Sequence, residues 1–137
     1  MTDKQFLQRM NKMVKKTHWV KGSLEKVLKY EKDPETKQFC RLENGDFKPG
    51  KMGHCIMGLV GIQAGIRPDI YPSLEVKVAK HPQAARVTER LWRALPKKPP
   101  GSRGVTNMAY DLEEYNDGYA TTREDIVALI DRAIENK

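Results

Sequence analysis

The sequence predicts a helix-rich α+β fold, with about four main helices around a central buried helix and a small antiparallel sheet. Three observations predict it. Several stretches place apolar residues three and four apart, the repeat of a helix with one buried face. The stretch Cys55–Ile66, "CIMGLVGIQAGI", is apolar over 12 residues except for one glutamine. That suits a helix enclosed by others, and it falls short of the roughly 20 residues a membrane span needs. Residues 19–50 lack the helical repeat but carry the turn signals Asp33-Pro34 and Asn44-Gly45-Asp46, which punctuate short strands.

The first helix is expected over 3–17. Phe6, Met10, Met13, Val14 and Thr17 share its inward face, Thr2 or Asp3 can cap it, and Lys12, Lys15 and Lys16 form a solvated face. Strands are expected near 25–31 and 37–43 about the Asp33-Pro34 turn, with a third near 46–48. Leu24, Val27 and Leu28 also fit a helical spacing. The central helix spans 54–65, with Gly65 as its left-handed terminator and Pro68 preventing continuation. Gly58, Gly61 and Gly65 each weaken that helix by about 1 kcal/mol relative to alanine, which implies that another backbone approaches it closely.

A further helix is expected over 82–95. Pro82 lies in its first turn, Ala84, Val87, Thr88, Leu91, Trp92 and Leu95 face inward, and Pro96 ends it. Pro96–Gly104, "PKKPPGSRG", is an extended basic loop. A short helix over 105–115 places Val105, Met108, Ala109, Leu112 and Tyr115 on one face. The last helix, 122–135, carries the stripe Ile126, Leu129, Ile130, Ala133 and Ile134. Thr121 with Glu124 supplies a capping box, and Glu124, Asp125 and Arg132 suit the helix dipole.

The 137 residues fit a single domain, 1–137, with one core. Hydrophobic residues at 39% and charged residues at 31% exclude the disordered class. The opening "MTDKQFLQRM" has no apolar h-region, so no secretory signal is expected. Two cysteines make no disulfide framework and point to reduced thiols in a cytoplasmic protein. The net charge of +7 is uneven: residues 1–53 hold 13 Lys and Arg against 7 Asp and Glu, 67–103 hold 9 against 3, and 104–137 hold 3 against 8. A basic body with an acidic last third favours phosphates or acidic proteins as partners, or neutralises itself within the fold.

Four landmarks run in order along the chain: "WVKG" at Trp19–Gly22, "CIMGL" at Cys55–Leu59, "YND" at Tyr115–Asp117 and "TTREDIVALIDRAI" at Thr121–Ile134. Together they resemble a small family of uncharacterised domains of actinobacteria and their phages. That family shows Trp-x-x-Gly, Cys-x-x-Gly-Ala-Leu at a helix start, an aromatic residue before Asn-Asp, and a final helix opening near Arg-Thr-x-Glu. The sequence departs from the pattern at Val60 and in its longer basic segment, 67–103. The resemblance implies an α-rich fold with a small sheet and a phage or prophage origin. It brings no assigned activity.

The candidate chemistries differ in strength. Cys55 opens the central helix, where a dipole can favour thiolate. His18, His54 or His81 as base and Asn116 or Asp117 as orienting group would complete a hydrolase set. His54 is adjacent in sequence and cannot face Cys55 across a helix, and a buried cysteine packed as a small hydrophobe is the stronger reading. Cys40, Cys55 and the histidines lack zinc-site spacing. Asn116-Asp117-Gly118 fits a structural turn better than a calcium loop.

Arg86, Arg90 and Arg93 share one helix face and lead into Lys97, Lys98 and Arg103, with Lys77 and Lys80 nearby. This stripe is the candidate binding surface. The leading expectation is a small non-enzymatic interaction protein, with no catalytic set, metal or cofactor, that binds an acidic host protein through this basic face. Sequence-independent nucleic-acid binding through the same face is the first alternative. A cysteine-dependent hydrolase or transferase centred on Cys55 is the second.

Overall fold

The computed structural model describes residues 1–16, 18–68, 72–98, 101 and 103–136. Helix α1, Asp3–Lys15, starts where Thr2 and Gln5 cap each other reciprocally. It buries Phe6, Met10 and Val14 as their spacing requires, together with Leu7 and Asn11. Asn11 donates to Asp131 at 2.7 Å, a polar tie to the last helix. Thr17, expected on the same face, lies outside the described residues.

The strands β1, Lys26–Tyr30, and β2, Pro49–Gly53, form a two-stranded antiparallel sheet. The register runs from Lys26 opposite Gly53 to Tyr30 opposite Pro49, with irregularities at Lys29. The first expected strand is therefore present, but its partner lies at the entry to the central helix and not at 37–43. The expected strands at 37–43 and 46–48 are reduced to single bridges, Lys32 with Phe39 and Arg41 with Phe47. The reason is local: Asp33 accepts hydrogen bonds from the amides of Glu35 and Thr36, and Lys37 adopts a φ of 63°. The chain thus turns tightly where a longer ladder would need extended backbone. From Glu25 to Gly50 only Val27 and Cys40 are even partly buried, so this segment is an exposed arm.

Helix α2, Ile56–Ala64, buries every residue from Ile56 to Gly61 and packs against α1, Leu74–Lys80 (α3), Pro82–Arg93 (α4) and Val105–Asn116 (α5). That is the central position its uniform hydrophobicity predicts. Gly65 ends it at φ 73°. A Cβ on Gly58 would collide with the Leu24 carbonyl oxygen, so another backbone does approach this helix, and it is the root of the arm.

Helix α3 is not expected from the sequence. It buries Leu74, Glu75 and Val78 in under two full turns. His81 is both its C-cap and the N-cap of α4, where the imidazole Nδ1 accepts from the Ala84 amide at 3.1 Å. Helix α4 stops two residues before the predicted end, with Ala94 and Leu95 still buried. Helix α6, Arg123–Glu135, packs on α1 and α4. Its capping box is Thr122 with Asp125, one residue later than predicted. Thr121 instead donates to the Tyr115 carbonyl at 2.7 Å.

Candidate functional site

Four places can carry chemistry or binding. The first is Cys55. Its side chain is 3% exposed, and Sγ accepts from the Gly58 amide at 3.4 Å as the N-cap of α2. Burial pushes the thiol up to about 11, against the lowering influence of the Gly58 amide. A helix start would favour thiolate, but here desolvation wins, and Cys55 is a protonated, packed cap.

The segments around Cys55 converge on Asn116, which is fully buried. Its Oδ1 accepts from the Trp19 indole N–H and from the Ile56 amide, the latter at 3.0 Å. Its Nδ2 donates to the Val20 carbonyl and to Asp117. Asp117 in turn accepts from the Gly22 amide at 2.7 Å. One side chain thus satisfies a carbonyl of the 19–22 segment and the first amide of α2. The landmarks Trp19–Gly22, Cys55–Leu59, Tyr115–Asp117 and Thr121 meet in one network, and its work is structural. Asn116 as an orienting group for Cys55 does not fit, because both of its polar atoms are committed to that network.

Beside it, the Glu113 carboxyl faces that of the buried Glu75. Burial first, then the hydrogen bond to Glu75 and its charge, push Glu113 up to about 9. Glu75 is 6% exposed. A carboxyl raised in this way keeps its proton at neutral pH.

The second place is the basic stripe, and the structure ties most of it into the fold. Arg86 makes a forked pair with Asp3 at 3.0 and 3.2 Å, which holds the Asp3 carboxyl below its ordinary range. Arg90 donates to the Asn136 carbonyl at 2.7 Å and to that of Ile134 at 3.2 Å, where a cation suits the end of α6. Arg93 pairs with Glu89 at 2.6 Å. Lys98 reaches the Leu95 carbonyl, and Arg103 pairs with Asp111, which also accepts from the Trp92 indole at 2.9 Å. Lys97 is exposed. The shared face exists, but Arg86, Arg90 and Arg103 are tied to other parts of the chain, and Arg93 pairs within its own helix.

The third place is the arm, which the sequence marks only as a small sheet. Tyr30, Phe39 and Phe47 meet edge-on with ring centroids 5.4 to 6.4 Å apart. The Lys32 ammonium lies 4.7 Å from the centre of the Phe39 ring and the Arg41 guanidinium 4.2 Å from that of Phe47. These rings, with Leu28 and Leu42, remain 39–46% exposed.

The fourth is a cleft of about 430 Å³ between the arm root, α2 and α3. His54, Glu25 and Arg67 are its polar walls. Nothing in the local sequence marks it, because its walls come from residues 24–25, the stretch 54–68 and Leu74.

A family model described as a family of unknown function (DUF6197) matches residues 1–136. No curated protein and no solved structure matches the chain. Among the described residues no helix is long and apolar enough to cross a membrane, and no group of three metal-ligating side chains gathers.

Proposed function

We propose that this chain, which belongs to the DUF6197 family, is a binding protein that holds an acidic partner protein with its arm. One observation carries the reading. Five large apolar side chains, Leu28, Tyr30, Phe39, Leu42 and Phe47, each stay more than a third exposed on one extension, with cations seated over two of the rings. Exposed apolar clusters rimmed by charge characterise interaction surfaces. Aromatic and arginine side chains dominate binding energy because they bury much area for few rotors. Lys32 and Arg41 favour carboxylates opposite the rings. The stripe from Arg93 to Lys97 is a secondary contact in this reading, since its other arginines serve the fold.

The motif resemblance supports an actinobacterial phage or prophage origin, which would make the partner a host protein. The two cysteines, neither in a disulfide, support a cytoplasmic setting. Single-stranded nucleic acid is the second reading, because bases also stack on rings flanked by cations.

The test uses the full chain as bait in a bacterial lysate, with and without nuclease, beside a Phe39→Ser/Phe47→Ser variant and an Arg93→Glu/Lys97→Glu variant. A discrete protein that survives nuclease and is lost with the ring variant supports the arm. Loss with the charge variant alone moves the site to α4. Capture abolished by nuclease favours nucleic acid.

A further inference from the structure

Gly58 and Ile62 lie four residues apart on one face of α2, and His54, in the extended entry before the Cys55 cap, lines the same cleft. This face of α2 lines the cleft. Gly58 lets the Leu24 backbone rest directly on the helix, which fixes one wall. Ile62 stays 47% exposed there although Ile56–Gly61 of the same helix are buried. Ile66 and Leu74 extend the apolar lining.

The polar lining is specific. Glu25 and Arg67 bring one charge of each sign. His54 is 5% exposed and held by a hydrogen bond to the Leu24 backbone; burial lowers its pKa, with the Glu25 charge opposing. The imidazole is therefore neutral near pH 7 and adds a polar edge without a third charge. A cleft of this volume lies in the range of small-molecule sites, which pair an apolar body with a few placed polar groups. An anion alone would face Glu25, and a cation alone would face Arg67. A ligand carrying both charges on a small apolar body meets all three features.

We propose that this cleft binds a small apolar zwitterion of the α-amino acid class, with its carboxylate toward Arg67, its ammonium toward Glu25 and its side chain on Ile62, Ile66 and Leu74. The site is independent of the arm's partner.

The probes are L-leucine and L-phenylalanine, with N-acetyl-leucine and leucinamide as singly blocked controls, titrated into the ¹⁵N-labelled full chain. Saturable shifts confined to residues around Gly58, Ile62 and Ile66 are expected. Each blocked compound should bind about tenfold more weakly, the worth of one charge-assisted hydrogen bond. Glu25 and Arg67 are exposed, so Glu25→Gln and Arg67→Gln should fold. Glu25→Gln should abolish discrimination against N-acetyl-leucine, and Arg67→Gln discrimination against leucinamide. Absence of saturation by either amino acid at millimolar concentration overturns the proposal. So does equal binding of free and blocked compounds, or discrimination that survives both substitutions.

Discussion

The helical body and the arm use apolar residues in opposite ways. In α2 each residue from Ile56 to Gly61 is buried, against four other helices. On the arm, Leu28, Tyr30, Phe39, Leu42 and Phe47 are each more than a third exposed. The body converts apolar area into stability, at about 25 cal/mol per Å² removed from water. The arm leaves that area facing solvent, where it can contribute to association. In the proposed reading stability and binding fall on different residues, and substitutions should separate them.

The sharpest break comes where the two regions touch. Gly58→Ala places a Cβ against the Leu24 carbonyl, a backbone atom that cannot swing away. Overpacking of this kind costs about 3 kcal/mol, more than the roughly 1 kcal/mol alanine gains in helix propensity. Gly45, at the tip of the arm with φ 90° and open space around it, is the control. Gly45→Ala should cost about 1 kcal/mol, from backbone strain alone. Urea unfolding of the two variants measures the contrast, and equal losses would mean that the arm root does not bear on α2.

The same contrast decides what the sequence could disclose. Helices α1, α4, α5 and α6 were legible because each buries one stripe, and α2 because it is apolar throughout. Helix α3 was not, since Leu74 and Val78 are too few to set a period. The last cap was misplaced by one residue because Thr121–Glu124 and Thr122–Asp125 have the same pattern, and only the Thr121 bond to Tyr115 separates them. The strand Pro49–Gly53, "PGKMG", has none of the β-branched or aromatic residues that announce a strand. The basic face of α4 was legible as a face. Its partners were not, because Asp3 and the Asn136 carbonyl come from opposite ends of the chain. The cleft has the same difficulty, and the aromatic ridge depends on turns that place Phe39 and Phe47 beside Tyr30.

A milder break lies in the body's carboxyl pair. Glu113 in the folded chain titrates near 9, above its ordinary 4.5, chiefly through burial and then through Glu75. The folded chain keeps a proton that the unfolded chain releases. This contribution is therefore full below about 4.5 and is lost as pH rises toward 9. Glu113→Gln imitates the protonated carboxyl. It should flatten that slope and make the protein more stable at pH 8 by about 1 kcal/mol, a value discounted for partial exposure. Denaturant midpoints between pH 5 and 9 test it, and parallel profiles for the two proteins would place the proton elsewhere.

The smallest effect on stability is expected on the arm, where the comparison is most informative. Phe39 and Phe47 make ring contacts with Tyr30 and with each other, and cations cover them, but all of these groups remain in contact with water. An exposed ring pair or cation–π contact is worth about 0.5–1 kcal/mol, and serine at either position can still extend the chain. Phe39→Ser and Phe47→Ser should each lower stability by no more than about 0.5–1 kcal/mol, because no buried cavity is created. Unfolding of the body by near-ultraviolet dichroism of Trp19 and Trp92 should shift little, since both indoles are tied to α5 through Asn116 and Asp111. A loss as large as that of Gly58→Ala would show that the ridge supports the fold, and would remove the reason to regard it as a surface kept for a partner.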